Sequence, residues 1–419
     1  TYPARAADLI ELYREALSRD AQFASARAQF AAAQERIPQG EAGLKPNISL
    51  NASVSRNHTE INEPASRSFE YSSRSYTVQL TQPLYRLQNW VAVDQARLSV
   101  NAAEAVYLGA QQELITRVAQ AYFDVLYAQD VLAFASAQKD AIAQQLEQAR
   151  RNFEVGTATI VDTHEAQARH DLAVSQEINA QNDWAVRKHA LAVLIGKEPP
   201  SLKAFGKAVI LPPPEPSDLS AWVAAAEDAQ PGVRAQRASF EIAQLEIQRS
   251  RAAHYPTLDA VASVSQNRNP ASAVIEARTQ RLVVQLKLPL YAGGALSSRV
   301  REAFALAERA RSELEFAQRR AALEARQAYL GVLAGIAQVK ALEAAQTSSI
   351  LALESNQTGM EVGVRINIDV LNAQSQLFAT RRDLARARYD TLIAQLRLKA
   401  ATGSLGENDV QAINALLTP

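Results

Sequence analysis

The sequence predicts a mainly α-helical protein with a small β part, built from a strand–strand–long helix–short helix unit that occurs twice. Three observations support this fold class. The 16 prolines leave two long tracts free, one between Pro83 and Pro199 and one between Pro289 and Pro419. Proline costs about 3 kcal/mol inside a helix, and about 80 alanines, roughly a fifth of the chain, favour helix in those tracts. Several residue pairs also recur at one fixed distance along the chain.

The recurring pairs divide the chain into two halves. Most members lie 207 positions apart, and the flanking prolines drift by a few residues, as short insertions in loops would produce. The pairs are Ala121-Tyr122 with Ala328-Tyr329, Val155-Gly156 with Val362-Gly363, Asp162 with Asp369, Gly196 with Gly403, and Pro83 with Pro289 at a spacing of 206. We therefore predict a first structural repeat over residues 1–210, a stiff Pro-rich linker over 211–218 and a second repeat over 219–419.

Each repeat contains two stretches in which apolar and polar residues alternate. We predict strands at about 46–57 and 74–85 in the first repeat and at about 256–266 and 280–291 in the second. An alternation of period two places the apolar side chains on one face of a strand. Strands of about 10 residues with one apolar face suit an outer-membrane barrel, and a small soluble cap of two sheets is the alternative.

A long helix follows each strand pair, predicted at about 88–152 and 297–358. Apolar residues such as Val118, Val125 and Leu132 recur every seven positions, which is typical of left-handed coiled-coil packing. The many alanines let neighbouring helices approach closely. The strand–helix junctions are predicted at residues that interrupt regular structure, namely Pro83, Pro289, Gly293 and Gly294.

A shorter helix returns after each long one. Tight turns at Gly156 and Gly363 precede these return helices, which are predicted at about 160–196 and 366–402. The long helix would span about 95–100 Å at 1.5 Å per residue, and the return helix covers little over half of that length. Part of each long helix therefore needs another partner, because an unpaired helix would expose its apolar seam.

Helix-like stretches at 5–36 and 219–253 have about the missing length. We expect one of them to stack end to end with a return helix, so that the two together pair with one long helix. Residues 197–218, the N-terminus and the tail at 403–419 should gather near that junction as an equatorial belt.

Four strands cannot close a barrel, since closure usually takes at least about eight. Unpaired backbone groups at an open strand edge cost several kcal/mol each in lipid. If the strands lie in a membrane, two or three chains must therefore share one barrel.

Four segments carry a resemblance to a known family: the turns at 155–162 and 362–371, the stretch Leu288-Pro289-Leu290-Tyr291-Ala292-Gly293-Gly294, and the last return helix at 382–403. Together with the order of elements they resemble the TolC-like outer-membrane factors, the outer membrane efflux protein family. The resemblance covers nearly the whole chain. It implies a homotrimer in which a coiled-coil-like α-helical barrel continues a shared 12-stranded antiparallel outer-membrane β-barrel.

The function that the resemblance implies is an outer-membrane exit duct, or channel-tunnel, with an iris-like periplasmic gate. Such a duct serves a tripartite efflux pump or a type I secretion system. The implied location is the Gram-negative cell outer membrane, with an extension into the periplasm. The implied partners are a periplasmic adaptor (membrane fusion protein), an inner-membrane pump or ABC translocase, and outer-membrane lipid. The cargo stays open among drugs, metals, peptides and protein toxins.

The same resemblance assigns a periplasmic gate to the helix turns. Asp369 matches the acidic residue of the family's constriction, where a ring of carboxylates would select for cations. Asn372 stands where the family has a second acid, and Met360 where it has an aromatic residue. Arg365 matches the gate arginine and Asp162 matches its partner on the other hairpin, a pair that would hold the closed tips together.

Ordinary structural roles compete with these assignments. Thr159 and Asp162 have the spacing of a capping box, so that Asp162 would only start a helix. Asn367 would cap the equivalent helix, and Asp369 would interact favourably with its dipole. The two turn glycines would then be left-handed helix ends.

Other classes of protein have little support. His164-Glu165 with His170 is similar to H-E-x-x-H, but a spacing of six places the two imidazoles about 240° apart on a helix, so they cannot share a zinc ion. The absence of cysteine removes thiolate metal sites, and we expect no enzyme activity, metal or cofactor. Equal numbers of basic and acidic residues, 44 each, argue against nucleic acid as a partner. The alternative to a duct is a soluble coiled-coil spacer or a periplasmic adaptor protein with a small β cap.

Overall fold

The computed structural model describes residues 6–62, 67–157, 159–204, 211–271 and 274–417, and these contain ten α-helices and four β-strands. In the first half they are α1 (Leu9–Arg19), α2 (Ala21–Gln34), α3 (Arg36–Ala42), β1 (Asn47–Ile61), β2 (Arg67–Tyr85), α4 (Leu87–Glu154) and α5 (Ile160–Ile195). In the second half they are α6 (Leu219–Ala229), α7 (Pro231–Ala252), β3 (Thr257–Ala271), β4 (Val274–Lys287), α8 (Ala295–Glu361), α9 (Asn367–Ala401) and α10 (Glu407–Asn414). Helix makes up 71% of the chain, so the predicted mainly helical fold with a small sheet is confirmed.

The strands differ in length from the alternating stretches. β1 and β2 stay paired as far as Ile61↔Arg67, because backbone hydrogen bonds continue through polar residues that show no alternation. β4 ends at Lys287, ahead of the predicted end at 291, because Lys287 pairs with Thr257, the first residue of its partner β3.

The predicted helical stretches at 5–36 and 219–253 are interrupted. Asp20 ends α1, and its carboxylate accepts the backbone N–H of Phe23 at 2.6 Å, which starts α2 in a new direction. Pro231 starts α7 directly after α6, because proline lacks the N–H that a helix interior requires but fits the first helical position. Single residues cause both breaks, and the prediction of one helix-like stretch at each place overlooked them.

The chain forms two compact units. The first unit comprises Thr1–Ala28, Val106–Arg234 and Ala317–Pro419, and the second comprises Gln29–Ala105 and Ala235–Phe316. Each unit draws on both halves of the sequence. The compact units are therefore different from the sequence repeats, whose boundaries stay a prediction.

The second unit contains one antiparallel sheet in the order β1-β2-β3-β4. Ile48, Leu80, Ala262 and Leu282 form a row across all four strands. Ile48 is 68% exposed and Leu282 is 78% exposed. One face of the sheet is thus apolar and uncovered, and within the described residues the outer edges of β1 and β4 have no strand partner.

An ion pair in the same unit joins the start of α4 to the sheet. Arg86, directly after β2, donates from Nε and Nη2 to the two carboxylate oxygens of Asp259 on β3, at 2.7 and 2.5 Å. Asn89 on the first turn of α4 donates to the carbonyl of Gly43, ahead of β1. A bidentate pair fixes orientation as well as distance, so these contacts set the direction in which α4 begins.

The main core of the first unit lies where α1, α4, α5, α9 and α10 meet. Tyr122 of α4 donates its hydroxyl to the carbonyl of Lys203 at 2.6 Å. Tyr329 of α8, 207 positions later, donates its hydroxyl to the carbonyl of Ser217 at 2.5 Å. The two tyrosines hold the segments that connect the short helices. Fully buried side chains of this core include Leu9, Leu12, Tyr13, Leu114, Tyr122, Phe123, Leu191, Ile195 and Leu392.

Candidate functional site

Two helix turns of the first unit carry the predicted gate residues, one between α4 and α5 and one between α8 and α9. Gly156 and Gly363 have left-handed backbone, with φ of 78° and 80°. In each turn the N–H of the residue after the glycine donates to the carbonyl five residues back, at 2.8 and 2.9 Å. This pattern satisfies carbonyls that a helix end leaves unpaired, and it requires the left-handed residue that glycine adopts without strain.

The carboxylate of Asp162 accepts hydrogen bonds at the start of its own helix, α5. Its Oδ2 accepts the backbone N–H of Thr159 at 2.9 Å and the hydroxyl of Thr159 at 2.7 Å. These bonds complete a capping box at the start of α5. The hydrogen bond from the Thr159 side chain holds the pKa of Asp162 below its ordinary value. The capping interpretation of Asp162 is therefore confirmed.

The start of α9 has no such cap. Ile366 occupies the N-cap position and Asn367 is the first helical residue. The prediction that Asn367 caps this helix is wrong, because the capping side chain must sit one position earlier to reach the free amide groups. Asp369 lies in the first turn, where an acid is favourable to the helix dipole, and its carboxylate is 3.6 Å from Nη1 of Arg365.

Arg365 lies against the end of α8. A Cβ atom added to Gly359, which is buried, would come within 2.7 Å of Cγ of Arg365. The absence of a side chain at Gly359 therefore leaves space for the arginine. No local sequence motif predicts this role. Met360 follows it and is half-buried. Among the described residues Asp162 and Arg365 make their contacts within their own hairpins, so the predicted pair between them is not formed within the chain.

A different contact joins the two hairpins. Arg169 of α5 donates from Nη2 to Oδ1 of Asn372 on α9 at 3.0 Å. Glu165 is the nearest acid to Arg169, at 3.9 Å on the same helix. The two residues of the contact are 203 positions apart, so sequence reasoning identified Asn372 but not Arg169.

The predicted junction residues lie where strand passes into helix. Pro83 is in β2 opposite Asp259, next to a shift in the strand register. Pro289 follows β4 and is half-buried. Gly293 and Gly294 have φ of 60° and 83°, and a Cβ on either would meet nothing within 4 Å. Glycine is thus required there by backbone conformation, with no crowding involved.

Charged and amide side chains make up the chemistry of the two turns. Within the part of the chain that the structure describes, no group of three or more His, Asp or Glu side chains could hold a metal ion. Two acids of the turns have partners of another kind: Asp162 accepts hydrogen bonds from a hydroxyl and a backbone N–H, and Asp369 pairs with an arginine.

Thr159→Ala should loosen the first turn of α5, because it removes both bonds of the capping box that involve the threonine hydroxyl. A lost cap costs about 1 kcal/mol, which corresponds to roughly fivefold faster amide exchange in that turn. Ile366→Ser should slow exchange at the start of α9, since Ile366 has extended N-cap geometry without an acceptor. Hydrogen exchange read by mass spectrometry checks both, and equal rates in Thr159→Ala and the parent would contradict the cap.

Comparison with known proteins places this chain among bacterial export proteins. The family model described as outer membrane efflux protein matches residues 12–197 and 222–404. The outer membrane protein TolC of Vibrio cholerae is 33% identical over 415 residues, which cover 98% of this chain and 94% of that protein. The alkaline protease secretion protein AprF of Pseudomonas aeruginosa is 28% identical, with coverage of 97% and 86%.

Solved structures show the same fold. The outer membrane protein VceC of Vibrio cholerae superposes with a TM-score of 0.80 at 20% identity, covering 94% of this chain and 96% of that chain. CusC superposes with a TM-score of 0.83 at 18% identity, with coverage of 95% and 92%.

Proposed function

Because this chain belongs to the outer membrane efflux protein family, we propose that three copies of it close one 12-stranded β-barrel and line one helical tunnel. Proteins of this family are outer-membrane exit ducts of efflux pumps and type I secretion systems, and they extend into the periplasm. The chain is such a duct. The alternative of a soluble spacer or adaptor protein is not favoured by these relatives.

The open four-stranded sheet is the main observation that supports the proposed trimer. After β4 ends, Leu290 is 90% exposed and Tyr291 is 88% exposed. The matching end of β2, as far as Tyr85, is paired with β3. In lipid each unpaired backbone group costs several kcal/mol. The free edge of β4, Val274–Lys287, therefore needs a partner strand, which β1 of another copy would supply, and three copies give 12 strands.

An uncovered apolar stripe on α8 supports the same assembly. Leu323, Leu330, Ala337, Ala344 and Leu351 are all exposed and lie seven residues apart; we call this set the α8 stripe. Among the described residues α8 alone contains an 18-residue window apolar enough to cross a membrane by composition, with mean hydropathy 1.2 and 17% of it buried. A seven-residue period indicates packing against another helix. We assign the α8 stripe to the contact with a neighbouring copy.

The periplasmic gate is proposed at the two helix turns. Asp369 of three copies would form one carboxylate ring, and Asn372, one turn further, leaves a second ring uncharged. Met360 in place of an aromatic residue removes a hydroxyl from the gate. Asp162 and Arg365 are engaged within their own hairpins, so a latch between them would form between neighbouring copies when the tips close.

The partners proposed for the duct are a periplasmic adaptor and an inner-membrane pump or ABC translocase. AprF of Pseudomonas aeruginosa and PrtF of Dickeya chrysanthemi are named as secretion proteins, and BepC of Brucella suis is named as an efflux protein. Relatives thus serve both kinds of system. The inner-membrane partner would then decide which cargo enters this duct.

Fractionation and channel recording test this proposal. The chain, 45.6 kDa, should leave the outer membrane of a Gram-negative host only with detergent, as an oligomer of three chains that heat dissociates. The purified oligomer should conduct ions across a planar lipid bilayer. A monomer in the soluble fraction, or an oligomer without conductance, would refute the duct.

Asp369→Asn should lower the preference of the channel for cations. Removing one charge per copy from a ring near the ion path weakens the attraction for a cation by about 1 kcal/mol, so the cation-to-anion permeability ratio should fall roughly fivefold. The reversal potential in a salt gradient measures this ratio. Asp390→Asn is the matched control, since Asp390 forms a similar pair with Arg386 at 3.5 Å on the same helix, far from the turn. Equal shifts in the two variants would contradict the ring.

A further inference from the structure

We propose that Arg169 is a positioning residue that tethers the α4–α5 hairpin to the α8–α9 hairpin through Asn372. The guanidinium of Arg169 donates to the amide oxygen of Asn372 at 3.0 Å. Arg169 is the tenth residue of α5 and Asn372 the sixth of α9, so the contact lies close to both helix turns. The consequence for gating rests on the proposed duct, whereas the contact itself does not.

Packing beside this contact brings three helices together. Ile142 of α4, Ala173 of α5 and Leu371 of α9 form a small cluster in which each residue is at most 3% exposed. Arg169 is one helical turn before Ala173, on the side of the first turn, and Asn372 directly follows Leu371. Nearer the turns, the next buried cluster joins only α4 and α5, through Leu146, Ala149 and Ala166. The tether therefore lies beside a cluster in which the two hairpins are packed together.

The three charged residues predicted for the gate, Asp162, Arg365 and Asp369, make their contacts elsewhere. Asp162 accepts hydrogen bonds from Thr159 in its own cap, and Arg365 pairs with Asp369 on its own hairpin. Opening the hairpins thus leaves those bonds intact but breaks the bond from Arg169. A hydrogen bond from a charged donor is directional and stronger than a neutral one, so Arg169 biases the hairpins toward the closed arrangement.

Charge gives the tether a second consequence. Asn372 is neutral, and the acid nearest to Arg169 is Glu165 at 3.9 Å, so the positive charge of Arg169 is only partly compensated. In the duct, three such guanidinium groups stand beside the uncharged ring position and oppose the attraction of the Asp369 ring for cations. Arg169 accordingly acts on selectivity as well as on closure.

Distance measurement between the hairpin tips tests the tether. The chain has no cysteine, so Thr157→Cys with Val364→Cys, both at exposed tip positions, attaches two spin labels to each copy. Labelled chains diluted with unlabelled ones report the distance within one copy. Arg169→Ala should increase the population with separated tips about fivefold, as expected for a partly exposed charged hydrogen bond. Arg169→Lys should restore part of the closed population, because lysine keeps the charge and a donor.

Arg150→Ala is the matched control. Arg150 donates to the amide oxygen of Gln167 at 2.7 Å, the same kind of bond, but both residues belong to the α4–α5 hairpin. This variant should leave the tip distance unchanged. Asn372→Asp should narrow the distance distribution, since it converts the hydrogen bond into an ion pair.

Channel recording on the same variants completes the test. In a planar bilayer Arg169→Ala should raise the mean conductance and the cation-to-anion permeability ratio, while Arg150→Ala should change neither. An unchanged tip distance in Arg169→Ala overturns the tether, whatever the channel does. If Arg169→Ala fails to assemble, the tip distance in Asn372→Asp is the deciding measurement. An unchanged distance distribution in that variant also overturns the tether. A parent chain that does not conduct refutes the proposed duct alone, because the distances are measured without conduction.

Discussion

Leu330→Arg should abolish the proposed trimer. Leu330 is the second of the five residues of the α8 stripe and is 56% exposed, and the other two leucines of the stripe, Leu323 and Leu351, are 51% and 59% exposed. Burial of one such leucine stabilises an interface by about 2 kcal/mol, and a buried unpaired arginine costs several kcal/mol more. In the proposed trimer the substitution occurs in all three copies, so the penalty counts three times and exceeds about 10 kcal/mol for the assembly.

Gel analysis of unheated outer-membrane extracts measures this effect as the fraction of chain in the heat-dissociable oligomer. Gln338→Arg is the control, because Gln338 is also exposed on α8 but lies about a quarter turn away from the stripe. We expect normal trimer for Gln338→Arg and none for Leu330→Arg. A normal amount of trimer with Leu330→Arg would show that the α8 stripe faces water or the lumen, and the proposed subunit contact would be wrong.

Asp20→Ala should cost about 3 kcal/mol of stability in the first unit. Asp20 is 5% exposed and joins three elements. Its carboxylate accepts bonds from Nη1 and Nη2 of Arg117 on α4, at 3.2 and 3.0 Å, and the N–H of Phe23 at the start of α2. Removing one partner of a buried pair costs about 3–5 kcal/mol, and the lower end applies because the Arg117 side chain is 26% exposed and keeps the exposed Glu113 at 3.8 Å.

Urea unfolding followed by helical circular dichroism measures this loss. Asp20→Asn should lie between the parent and Asp20→Ala, since asparagine keeps an acceptor for the N–H of Phe23 but has no charge for Arg117. Asp383→Ala is the control, because its ion pair with Arg382 is about half exposed and should contribute less than about 1 kcal/mol. Equal losses in Asp20→Ala and Asp383→Ala would contradict the role of Asp20.

The same carboxylate gives the stability of the first unit a pH dependence. Burial raises the pKa of Asp20, but the bonds from Arg117 and from the N–H of Phe23 outweigh burial and hold it below the ordinary value of 3.8. A lowered pKa in the folded state means that the stabilisation is complete above pH 3.8 and is lost as the pH falls through the folded pKa. The parent should therefore lose more stability on acidification than Asp20→Asn, which lacks this group.

Local signals predicted the parts of the site that local contacts form. The spacing of Thr159 and Asp162 predicted the capping box, since all its bonds lie within three residues. The glycines at 156 and 363 predicted the two turns, because few other residues adopt left-handed backbone without strain. The same reasoning misplaced the cap of α9 by one residue, from Ile366 to Asn367.

The ends of the strands and the breaks in the helices could not be predicted from sequence patterns. Alternation identified the four strands only where one face is apolar, while pairing with a neighbouring strand decided that β1 continues to Ile61 and that β4 ends at Lys287. The predicted helix-like stretch at 5–36 continued through Asp20, where α1 ends and the carboxylate pairs with Arg117. For β4 and for Asp20 the deciding contact comes from a distant residue, 30 positions away between Lys287 and Thr257 and 97 between Asp20 and Arg117.

The sequence by itself determined the duplicated order of elements, the two glycine turns, the cap at Thr159 and the inability of four strands to close a barrel. These follow from periodicity, backbone conformation and the number of strands, which are properties of neighbouring residues or of simple counts. Only the tertiary structure decided that Arg169 reaches Asn372 across 203 positions. A side-chain hydrogen bond is made or lost within about 1 Å, and that distance depends on how separate helices pack.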